Sequence, residues 1–91
     1  MDKNDCKKYL KRAYRKITEN KEKLNVKNIE YYMKKVTDEQ MKEYISYSKI
    51  AMNNLANSGN IEITLKDLLG EIDILPRIYT KEDAIFTANR L

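Results

Sequence analysis

The chain of 91 residues carries 18 Lys and Arg against 14 Asp and Glu, a single cysteine and no histidine. A chain this short has room for one hydrophobic core, since two separate cores would each be too small to hold without disulfides or metal. Cys6 alone can form no intramolecular disulfide, and without histidine the Cys/His zinc sites are excluded, so no metal and no cofactor is expected.

Hydrophobic residues make up 42% and charged residues 35% of the chain, enough apolar material for a folded domain whose charged share exceeds the usual value of about 25%. The start, Met1-Asp2-Lys3-Asn4-Asp5, leads into no apolar run, and nowhere does a stretch of about 18 apolar residues occur. A cytoplasmic protein with no membrane partner is the expectation.

Cys6, Tyr9, Leu10, Ala13, Tyr14 and Ile17 recur at spacings of three and four and predict a first helix, with Asp2 or Asn4 as its cap. Val26, Ile29, Tyr32, Met33 and Val36 predict a second, with Asn25 as N-cap. Thr37 followed three residues later by Gln40 has the spacing of a capping box and predicts that a third helix starts there. That helix carries Met41, Tyr44, Ile45, Ser48, Met52 and Leu55 on one side and closes at Gly59, where glycine can take the left-handed conformation.

Beyond Gly59 two patterns compete. The segment 61–65 alternates like a strand, yet Thr64-Leu65-Lys66-Asp67 has the form of a helix cap, which suits a short helix ending at Gly70. Ile72 to Leu75 precede Pro76, which pushes its predecessor towards extended backbone. A last helix is expected from Thr80, burying Ala84, Ile85, Ala88 and Leu91. The expected fold is a compact all-α single domain over residues 1–91, of four to five helices, with one minor two-stranded β element allowed for in residues 60–79. Its first three helices form an antiparallel bundle and residues 60–91 pack across it.

No catalytic residues are expected, because the chain has no histidine, no glycine-rich phosphate loop and no nucleophile elbow. A helix-turn-helix is disfavoured. Its nearest candidate, Leu65–Gly70 followed by Thr80–Arg90, has a connection of about nine residues, where the motif needs a tight turn.

Charge is unevenly spread: residues 1–36 hold 12 basic and 5 acidic side chains, while residues 37–91 hold 6 and 9. Turning helix one by about 100° per residue brings Lys8, Lys11, Arg12 and Arg15 together opposite the apolar stripe, with Lys7 and Lys16 at their flanks. On helix two the same construction sends Lys27, Tyr31, Lys34 and Lys35 outward. These ten residues form the candidate partner-binding surface. Tyr31 can stack on a base, anchor a protein contact, or lie over lysine stems. Fourteen of the 18 basic residues are lysine, which lacks the planar fork that reads guanine edges, so contacts to a nucleic acid would be mostly to phosphate.

The function expected is that of a small non-enzymatic regulator or inhibitor. It docks its basic helical face onto a protein partner, one belonging to a nucleic-acid-handling complex. The Lys-, Asn-, Ile- and Tyr-rich composition suggests the phage or mobile-element type. One alternative is direct, weakly sequence-specific DNA or RNA binding. Another is a bundle that forms homo-oligomers, the basic and acidic halves of neighbouring copies meeting head to tail.

Overall fold

A computed structural model describes residues 1–38 and 41–91. They form α1 (Lys3–Glu19), α2 (Val26–Val36), α3 (Lys42–Asn57), α4 (Leu65–Ile78) and α5 (Lys81–Ala88), with no strand among the described residues. The fold is therefore all-α.

Local chemistry sets most of the helix ends. The Asp2 carboxylate accepts from the backbone N–H groups of Asn4 and Asp5, and Asn25 accepts from that of Asn28, so two of the orphan donors that every helix start leaves are satisfied on α1 and one on α2. α1 closes through paired bonds from Glu22 N–H to the Ile17 carbonyl and from Lys21 N–H to the Thr18 carbonyl. This is the arrangement in which glycine usually supplies the left-handed residue. Here Lys21 adopts it, at φ 56°. The Tyr32 hydroxyl fastens the turn, donating to Glu22 at 2.5 Å and accepting from Asn20 at 3.0 Å.

The Thr37–Gln40 capping box falls on residues outside the described ones at its Gln40 end. Thr37 itself closes α2, its hydroxyl donating to the Met33 carbonyl at 2.6 Å. α3 begins further on, at Lys42, with Met41 as an N-cap that supplies no side-chain bond. It ends at Ser58, and Gly59 follows at φ 79°.

Residues 60–79 form no strand, so the minor two-stranded element allowed for there is absent. Thr64 and Asp67 form a reciprocal capping box, Thr64 Oγ accepting from Asp67 N–H at 3.2 Å and the Asp67 carboxylate from Thr64 N–H at 3.0 Å. From there α4 runs unbroken to Ile78, through both Gly70 and Pro76. Helix brings Leu68, Ile72 and Leu75 to one buried face, whereas extended backbone would turn alternate residues to water. Pro76 withholds one backbone donor in the last turn, and Tyr79 N–H still reaches the Leu75 carbonyl at 2.9 Å. Gly70 lies on the solvent side, and a β-carbon there would meet nothing within 4 Å. Gly70→Ala is accordingly expected to raise stability by about 0.5–1 kcal/mol, read as a higher urea midpoint at unchanged slope.

Packing makes a ring: α1 lies against α2, α2 against α3, α3 against α4, and α4 against α1, with α5 packed onto α3. α1 and α3 start at the same end of the molecule, since the Met1 ammonium lies 3.7 Å from Glu43 and the Cys6 thiol 3.9 Å from the Tyr44 carbonyl. Held by three neighbours, α3 is not the one-sided helix its apolar spacing suggests. Every residue from Ile45 to Met52 is buried, Ser46, Ser48 and Lys49 included. One core cluster draws on all five helices, from Cys6 and Leu10 to Ala84 and Ala88. Burial pushes the Cys6 thiol up to about 12, which keeps it protonated as a small apolar side chain. The Tyr47 hydroxyl, donating to the Tyr79 carbonyl at 2.7 Å, ties the short link between α4 and α5 to α3.

Candidate functional site

The outer faces of α1 and α2 carry the surface the charge pattern indicated. Lys8, Lys11, Arg12, Arg15 and Lys16 are exposed on α1, and Lys27, Tyr31, Lys34 and Lys35 on α2. The two helices pack against each other, so the cations stand on neighbouring helices of the ring. Among the described residues no carboxylate lies within ion-pair distance of Lys8, Lys11, Arg12, Arg15, Lys16, Lys27 or Lys35.

Lys7 belongs elsewhere. Its ammonium lies 2.6 Å from the Asp73 carboxylate on α4, and Lys3 Nζ donates to the Asp73 carbonyl at 3.2 Å. Lys7 holds the Asp73 carboxyl below its ordinary value. Part of the positive first half is thus matched to the acidic second half within one chain.

Tyr31 is 52% exposed but not bare. The Lys35 ammonium sits 4.8 Å from its ring centroid and the Tyr32 ring meets it edge-on at 5.0 Å. Tyr31 in turn pushes Lys35 above its ordinary value. One ring face is therefore taken by a neighbouring cation. Arg12 similarly lies 5.7 Å from the Tyr9 ring.

The α4–α5 connection is much shorter than the sequence suggested, with Tyr79 and Thr80 alone between the helices. The first turn of α5 is acidic, with Glu82 and Asp83, and its cap is a Thr80 hydroxyl that accepts from Asp83 N–H at 3.2 Å.

A second feature adjoins the basic face. Where α5 crosses α3, a groove of about 360 Å³ opens between α2, α3 and α5, with Ile45 and Ile85 among its apolar lining and Glu30, Lys34, Lys42 and Lys49 around it. Lys49 is only 6% exposed, and its ammonium meets Glu30 Oε2 at 2.5 Å. Lys34 approaches the other Glu30 oxygen at 3.6 Å. The hydrogen bond from Lys49 is the chief reason the Glu30 carboxyl titrates below its ordinary 4.5, outweighing the opposing effect of partial burial. A depressed value means stability that is present above the unfolded-state value and lost as pH falls through the folded-state one. Glu30→Gln is therefore expected to flatten the loss of stability below pH 4.5, measured by urea unfolding across the acid range.

Sequence reasoning found Lys34 but missed the rest of this groove. A signal existed: Lys49 falls four residues after Ile45 and three before Met52, inside the apolar stripe of α3, and a lysine at such a position requires a buried partner. Nothing local identified that partner as Glu30.

No described helix is long and apolar enough to cross a membrane, and no group of three or more potential metal ligands occurs among the described residues. Compared with known protein families, curated proteins and solved structures, the chain matches none.

Proposed function

We propose that this chain is a non-enzymatic docking protein, a regulator or inhibitor of the phage or mobile-element type acting in the cytoplasm, which presents the outer faces of α1 and α2 to an acidic protein partner. The observation that carries this reading is the set of seven exposed cations on two adjacent helices with no carboxylate in ion-pair reach among the described residues. Like charges on neighbouring helices repel one another, and an acidic surface relieves that repulsion while steering the encounter. A protein partner is favoured over a base-stacked strand because Tyr31, the exposed aromatic ring beside the cations of α2, already has a face occupied by Lys35.

The test is capture from nuclease-treated lysate on the immobilised chain, with bound proteins identified and their release followed as salt is raised. A discrete acidic protein, retained after nuclease and displaced by salt, is the expected result. If capture vanishes with nuclease, and purified DNA or RNA binds with a log–log salt slope near −0.9 per phosphate, the surface is a nucleic-acid site instead.

A further inference from the structure

The groove between α2, α3 and α5 has a charge arrangement that the exposed basic face does not share. The one carboxylate among its described lining residues, Glu30, is already committed to the buried Lys49 ammonium at 2.5 Å. Lys34 is held only loosely, at 3.6 Å with its side chain 59% exposed. Lys42, in the first turn of α3, is exposed and has no ion-pair partner among the described residues. Three ammonium groups, those of Lys34, Lys42 and Lys49, therefore face one carboxylate among the described lining residues, beside apolar lining from Ile45 and Ile85. A volume of about 360 Å³ is at the small end of the range for ligand pockets, enough for one or two side chains but not for a helix.

We infer that this groove anchors a short acidic segment of the protein partner, one apolar side chain settling against Ile45 and Ile85 while flanking carboxylates meet Lys34 and Lys42. The inference rests on the docking function proposed above and assigns that partner its recognition chemistry. Charge complementarity selects the occupant. Carboxylates suit this excess of ammonium groups, a basic segment is repelled by it, and a neutral one leaves it unmatched. The apolar lining favours a peptide over a sugar–phosphate backbone, which has no apolar side chain to place there. Lys34 faces both the groove and the basic side of α2, so one partner can span the two.

The test uses the intact chain, labelled with nitrogen-15 and titrated with the capped peptide acetyl-Asp-Leu-Glu-amide and with its neutral counterpart acetyl-Asn-Leu-Gln-amide. Saturable shifts at the amides of Ser46, Lys49 and Ile85 are expected for the acidic peptide, with the neutral one weaker by about tenfold or more, the usual worth of a charged hydrogen bond. Lys42→Glu should abolish the shifts and Lys42→Gln weaken them. Both are exposed changes in a first helical turn, and the dispersion of each spectrum verifies that the variant is folded. A chain carrying Lys8→Glu, Lys11→Glu and Arg15→Glu should keep peptide binding, which separates the groove from the basic face. Absence of saturable shifts, equal binding of the two peptides, shifts confined to α1, or an unaffected Lys42→Glu variant would each overturn the inference. Displacement of the peptide by a ten-residue oligothymidine at the same amides would also overturn it, in favour of a nucleic-acid ligand. If a protein is captured from lysate while the groove stays silent, the groove assignment alone fails. If the peptide binds but no acidic protein is captured, the broader function fails instead.

Discussion

Replacing Ile50 with alanine is expected to lower the free energy of unfolding by about 2–5 kcal/mol, the usual range for emptying a packed aliphatic site. Ile50 is 2% exposed, in the stretch of α3 that α2, α4 and α5 surround. Neighbours on three sides hold the cavity open, so little collapse can offset the lost contacts. Domains of this kind are stable by only about 5–15 kcal/mol in total, and the variant should show a much lower urea midpoint. Leu55, nearer the end of α3 and half-buried, should cost less on the same change because water already reaches it. Equal effects at the two positions would mean that α3 is not enclosed as described.

Reversing Lys8, Lys11 and Arg15 to glutamate should abolish partner capture while leaving the fold in place. Each reversal changes the charge by −2, so the three take the chain from +4 to −2. All three side chains are exposed, and none has an ion-pair partner among the described residues. Their individual costs in stability should stay within about 0.5 kcal/mol, so the helical circular dichroism spectrum and melting curve serve as the control. Loss of electrostatic steering alone slows association by about 10- to 1000-fold, and the new negative charges add repulsion against an acidic surface. Lys7→Glu makes a useful contrast: it sets a carboxylate against Asp73 and should weaken the α1–α4 contact itself. A folded triple variant that captures the partner as well as the parent would show the face to be a solvated surface and nothing more.

What the sequence determined by itself was what depends on residues within a few positions of one another. The apolar stripes of α1 and α2, the caps at Asn25 and Thr80, the choice of Asp2 or Asn4 as the cap of α1, and the left-handed turn at Gly59 all follow from local spacing and local hydrogen bonds. So did the outward placement of Lys8, Lys11, Arg12, Arg15 and Tyr31, because a helix already known to bury one stripe must expose the opposite one. The three- and four-residue spacing of Leu68, Ile72 and Leu75 was also legible, but Gly70 and Pro76 read as breaks. Only packing against α1 and α3 decided that burying those side chains outweighs the local cost of both residues. The tertiary structure likewise decided that α3 has three neighbours and buries Lys49, that Glu30 is the carboxylate it meets, and that Lys7 belongs to Asp73 rather than to the free basic surface. These pairs lie 19 and 66 residues apart. Contacts between such distant residues depend on how whole helices are arranged, and helical periodicity carries no record of that arrangement.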